Sequence, residues 1–163
     1  MPPKQTPEPL PLPARVQSSF QQLSIAASAL NTASDRLSKL VGQIDAALKP
    51  LNVGLECWVN IGIPLHSEDG EQEYREQVGY AKIGGKWGIA LKTVDELIFR
   101  DDAHIEQWAF NDAPRQLRLK AIDYIQDLLA ELSKEAAKFT EKIAQKTGEV
   151  QQLVSALKGG ANQ

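Results

Sequence analysis

At 163 residues, with 42% hydrophobic and 24% charged side chains, the chain has the length and balance of one folded domain. A net charge of -3 offers no long-range attraction to phosphate backbones, which argues against a nucleic-acid partner, and the single cysteine, Cys57, excludes an intrachain disulfide framework. No run of about 18 apolar residues could span a bilayer, and the opening MPPKQTPEPLPLP lacks the apolar stretch of a signal peptide, so a cytoplasmic protein without membrane contact is expected.

Residues 1–13 alternate prolines with small or polar residues, a composition that favours solvated extended chain and predicts a disordered tail. A helix is expected over 14–49. Its apolar or small residues recur at spacings of four and three through Val16, Phe20, Leu23, Ala27, Leu30, Ser34, Leu37, Val41, Ile44 and Leu48. Pro50 ends it, because proline disfavours the helical conformation at Lys49 and has no N–H to donate.

A meander is expected over 51–100, where the period switches from seven to two. Leu51, Val53, Leu55, Cys57, Val59 and Ile61 alternate with Asn52, Gly54, Glu56, Trp58 and Asn60, which reads as one half-buried strand. The stretch from Ile63 to Tyr74, with Pro64, Asp69-Gly70 and several acidic residues, reads as a mobile connection. Two alternating runs then flank Gly84-Gly85, whose freedom to take positive φ suits a two-residue hairpin turn. That turn pairs Ile83 with Lys86, Lys82 with Trp87, Tyr80 with Ile89 and Val78 with Leu91. It leaves Gly79, Ala81, Gly88 and Ala90 on a reverse face that a helix or another backbone could approach. A short strand is expected at Leu97–Arg100, then a linker over 101–113 containing Trp108 and Phe110.

The second helix is expected over 114–158, with Asn111 and Asp112 as acceptors for its start, Pro114 in its first turn and Gly159-Gly160 at its end, before a short disordered tail at 160–163. Its seam runs through Ile122, Ile125, Leu129, Leu132, Ala136, Phe139, Ile143, Lys146, Val150, Leu153 and Leu157. Folded back on the first helix, it sets Leu37 beside Ala136 and Ser34 beside Phe139, large against small, with Leu30 beside Ile143 and Leu23 beside Val150. Ala26, Ala33, Leu40 and Ala47 on one helix, with Ala121 and Leu128 on the other, widen the apolar face and predict a homodimer.

The chemistry-bearing residues form no catalytic set. GYAKIGGK lacks the Gly-Lys-hydroxyl order and the following helix that a phosphate loop requires. Asp101, Asp102, His104 and Glu106, and His66 with Glu68, Asp69, Glu71 and Glu73, are metal-compatible side chains without ligand spacing. Cys57 falls on the apolar side of its strand, where a thiol is inert. Trp58 lies instead among Asn52, Glu56 and Asn60 on the polar side, and an exposed tryptophan marks a contact surface. With Lys82 and Trp87 of the hairpin these residues form the candidate partner-binding set.

The expected fold is therefore α+β, a single domain over 14–159 in which an antiparallel coiled-coil hairpin of two long helices frames an antiparallel meander of three to four strands. The layout alone, without a shared sequence motif, resembles that of prefoldin-type chaperone subunits. The function expected is non-enzymatic: an assembly factor, adaptor or chaperone-like protein that oligomerises through its helices and binds a protein partner through its sheet, with no cofactor or metal. The alternative is a small-ligand-binding regulatory domain or an enzyme using the sheet and the acidic loops.

Overall fold

The computed structural model describes residues 9–160 and is α+β, with long helices and an antiparallel sheet of five strands. The elements are α1 (Leu12–Leu48), β1 (Cys57–Asn60), β2 (Leu65–His66), β3 (Gln72–Ile83), β4 (Lys86–Leu97), β5 (Asp102–Ala109), α2 (Arg115–Ile122) and α3 (Ile125–Gly160). The expected tail over 1–13 lies outside the described residues as far as Glu8, and Leu12 and Pro13 already belong to α1. The tail expected from 160 lies outside them beyond Gly160, which is itself helical; a helix can run into such glycines at a cost of about 1 kcal/mol each.

The chain divides into two compact units between Leu40 and Val41, within α1. The first unit is the helical segment up to Leu40. Its seam residues from Val16 to Leu30 are exposed, Phe20 by 70% and Leu23 by 63%, while Ser34 and Leu37 are half-buried. The second unit holds the end of α1, the sheet, α2 and α3.

Within the second unit the sheet order is β1-β3-β4-β5, with β2 also pairing against β3. Gly84 and Gly85, at φ of 57° and 82°, make the expected two-residue turn, and all four hairpin pairs occur as read from the sequence. Both hairpin strands are longer than expected. Gln72 pairs with Leu97 because the segment read as mobile is itself ordered: the Asp69 carboxylate accepts from the Ser67 hydroxyl and the Glu71 amide, and β2 pairs Leu65 with Tyr74. The strand expected over 51–61 is restricted to β1. Asn52 and Gly54 take positive φ after a 3-10 turn at Lys49–Leu51, and left-handed residues break the alternation that extended chain requires. Of the strand expected at Leu97–Arg100, Leu97 ends β4 and the rest is a turn, with Asp101 at φ 48°, and the supposed linker is β5, antiparallel to β4 from Asp102 to Ala109.

Strand pairing places Cys57, Val59, Val78, Tyr80, Ile89 and Leu91 on one face. There α2 and α3 pack against β1, β3 and β4, burying Leu117, Ala121, Ile125, Leu128 and Leu132, and Lys120 holds Glu76 at 2.9 Å. Full burial of an aliphatic side chain such as Ile89, Leu91 or Leu128 stabilises by about 1.5–3 kcal/mol. The second helix is interrupted at Asp123–Tyr124, so two helical segments wrap the sheet. This phase change buries Leu128 and leaves Leu129, the expected seam residue, exposed. Ala121 and Leu128 are thereby covered within the unit. Asn111 and Asp112 do not cap α2: its N-cap is Pro114, with ψ at 138° and no side-chain hydrogen bond.

From Phe139 onward α3 has no comparable burial. Ile143, Val150, Leu153 and Leu157 are exposed, Leu157 by 76%. The coiled-coil hairpin expected of the two long helices is not shown. No helix among the described residues is long and apolar enough to cross a membrane.

Candidate surfaces of the sheet

The reverse face of the sheet is built around its small residues. A Cβ on Gly79 would overlap the indole of Trp58 and sit 2.6 Å from the Cys57 carbonyl oxygen, so the glycine is what allows Trp58 to lie flat across β3. The indole is then fixed from its rim and its face. Its Nε1 donates to Glu56 Oε1 at 2.6 Å, and the Lys92 ammonium stands 4.0 Å from the ring centroid. Burial pushes the Lys92 pKa down, and Arg75 adds to the effect while Glu56 opposes it. Asn60 continues this face, its side-chain oxygen accepting from Gln77 at 2.8 Å.

Further along, Gly88 admits Asp45 of α1. The last β4–β5 pair is Ala90–Ala109, so the next β4 amide, that of Ile89, lies beyond the ladder. Asp45 Oδ1 accepts it at 2.8 Å, in place of a strand. Burial raises the Asp45 carboxyl above its ordinary range, and the Ile89 hydrogen bond partly offsets that rise.

The candidate partner-binding residues therefore separate. Glu56, Trp58 and Asn60 belong to the reverse face. Lys82 and Trp87 lie on the opposite face at the hairpin tip, where Trp87 stacks on Tyr80 at 5.5 Å between centroids. Asn52 joins the second group, because its left-handed turn lines a cleft of about 560 Å³ with Trp87, Lys49 and Lys86. Lys92 and Gln77 complete the first group and Lys49 the second. The pairing of β1 with β3 would have signalled Gln77 and, through β4, Lys92; the turn that brings Lys49 to Trp87 has no counterpart in the hydropathy pattern.

Neither surface assembles a catalytic arrangement. The Cys57 thiol is buried and its pKa is pushed up by that burial and then by the carboxylates of Glu131 and Glu135, which suppresses the thiolate. His104 lies 3.2 Å from Glu106, and His66 lies 3.8 Å from Glu73. No group of three or more His, Cys, Asp or Glu side chains able to hold a metal ion occurs among the described residues.

No family model, curated protein or solved structure matches the chain. The functional reading therefore rests on the surfaces themselves.

Proposed function

We propose that the protein is a non-enzymatic interaction protein, an assembly factor, adaptor or chaperone-like subunit, that forms a homodimer through its long helices and binds a protein partner through its sheet. The observation carrying this reading is the exposure of heptad-spaced Phe20 and Leu23 in α1 and of Ile143, Val150, Leu153 and Leu157 in α3. Apolar stripes of that length are covered in functional assemblies, because leaving each side chain in water forgoes about 1.5–3 kcal/mol. Trp58 and the Trp87 cleft are the partner-facing surfaces, each pairing an aromatic ring with lysine.

Sedimentation equilibrium at micromolar concentration tests the oligomerisation. A dimer is expected, and Leu153→Glu should shift it to monomer without loss of the sheet domain. A monomeric mass for the unaltered protein would overturn the reading. Closure of α1 on α3 within one chain, with Leu23 beside Val150, is the rival way to cover the same stripes; efficient intrachain crosslinking of cysteines at those positions at high dilution would mark it.

A further inference from the structure

The exposed stripe of α3 carries enough charge pattern to specify its own partner. Its heptads place Ala136, Ile143, Val150 and Leu157 at one core position and Phe139, Lys146 and Leu153 at the other, and the stripe begins after Leu132, which is buried. Glu135, Lys142 and Glu149 flank the core on one side, and Ser133, Thr140, Thr147 and Val154 on the other. Thr140 and Thr147 already donate their hydroxyls to the carbonyls of Ala136 and Ile143, each at 2.8 Å, so that flank makes no polar demand. Lys146 is the one charged core residue. Its ammonium is drawn to Glu149 at 2.7 Å, leaving its methylenes over the stripe.

We propose that α3 pairs antiparallel with α3 of a second copy, in the register that sets Ala136 against Leu153, Phe139 against Val150 and Ile143 against the stem of Lys146. The inference rests on the helices being the oligomerisation surface and names their arrangement. Three arguments select it. A parallel pair would bring Lys146 against Lys146 in the core, like charges in a dry layer. Among antiparallel registers, this one places Lys142 beside Glu149 of the second copy, twice by symmetry; a slide of one heptad sets Glu149 on Glu149 in one direction and Lys142 on Lys142 in the other. The chosen register also faces large side chains with small ones, Leu153 with Ala136 and Phe139 with Val150, as close packing requires. The seam of α1 offers no equivalent match, since no charged side chain occurs from Val16 to Ser34 to answer Lys142 or Glu149.

Two experiments test it. In a Cys57→Ala background, Ala136→Cys and Leu153→Cys proteins are prepared separately, mixed, re-equilibrated and treated with a short bis-maleimide. Crosslinked dimer should form in the mixture and not in either protein alone. Self-crosslinking of each protein alone would establish a parallel pair and overturn the proposal. A dimer that crosslinks in neither case would overturn this register while leaving oligomerisation intact, whereas a monomer would overturn both readings. The second experiment keeps Cys57: Lys142→Glu and Glu149→Lys should each raise the dimer dissociation constant about tenfold, and the double charge swap should recover most of that loss. A swap that worsens the loss would refute the pairing even if the cysteine variants fold poorly.

Discussion

Gly79→Ala is the most incisive perturbation of the sheet, because one methyl group acts on three interactions at once. The new carbon would overlap the Trp58 ring and approach the Cys57 carbonyl to 2.6 Å, so the indole must lift from β3. Overpacking of this kind costs about 1–3 kcal/mol. Lifting also removes the Glu56 hydrogen bond and the Lys92 contact, and a surface cation–π contact contributes about 0.5–1 kcal/mol. A total near 3 kcal/mol is expected, or a fall in Tm of roughly 6–12 °C for a chain of this size. Urea denaturation followed by tryptophan emission, at fixed protein concentration, measures the loss and reports the indole's environment together. In a Trp58→Ala background the same substitution should cost at least ~1 kcal/mol less, since only the carbonyl contact remains. Gly88→Ala is the control: its Cβ would meet Asp45 Oδ2 at 3.1 Å, a side-chain atom able to yield. A Gly79→Ala protein within about 0.5 kcal/mol of the parent, with unchanged emission, would show that Trp58 does not lie across Gly79.

Asp45→Ala leaves the buried Ile89 amide without its acceptor and should destabilise by ~1–3 kcal/mol in urea titrations, whereas Asp45→Asn retains an acceptor and should be close to neutral. Because burial raises the Asp45 pKa, the folded state holds a proton that the unfolded chain has released; the resulting stabilisation is full below the ordinary carboxylate pKa and is lost as pH rises through the raised value, so Asp45→Asn should remove that slope from a pH series of urea midpoints. Cys57 should resist a bulky thiol reagent in native buffer and react on unfolding; prompt stoichiometric labelling of the native protein would contradict its burial. In a monomeric variant such as Leu153→Glu, amide exchange should accelerate in α3 from Phe139 onward far more than at its start around Leu128 and Leu132, and equal protection of the two would contradict the proposed pairing of α3.

The sequence was informative wherever a local rule acted alone. The double-glycine turn fixed the hairpin pairs, and the small residues of the reverse face announced the close approach made by Trp58 and Asp45. Reading failed where short-range alternation and backbone conformation conflicted. Leu51, Val53 and Leu55 continue the apolar alternation of Cys57 and Val59, yet the left-handed Asn52 and Gly54 remove them from the strand. β5 escaped notice for the opposite reason: DDAHIEQWA is polar enough for a loop, but an edge strand with an exposed side needs few apolar residues. The candidate surface separated into two because the parity of β1 was read without its pairing to β3, and only that pairing shows that Trp58 and Trp87 point to opposite faces.

The two long helices differ in what sustains them, and the difference bears on how folding and association are linked. Along α3, the pairs Glu131–Lys134, Glu135–Lys138 and Lys146–Glu149 support the helix from its own surface. Its start is also anchored on the sheet through Leu128 and Leu132. In α1 such pairs are ruled out over a long stretch. From Val16 to Ser34 it contains Gln, Ser, Asn, Thr and Ala among its apolar residues and no side chain able to form an ion pair. Serine, asparagine and threonine are indifferent helix formers, and isolated helices are marginal even for better sequences. A segment of that composition becomes stably helical by burying its apolar face, and Phe20, Leu23 and Leu30 are on the face it has to bury. Surface helices of folded proteins ordinarily carry charge on their solvent side; a charge-free stretch of this length has the composition of a helix enclosed by others. If the proposed association also covers this face of α1, that cover would be part of what folds it, and removing it would loosen the helix as well as separate the subunits.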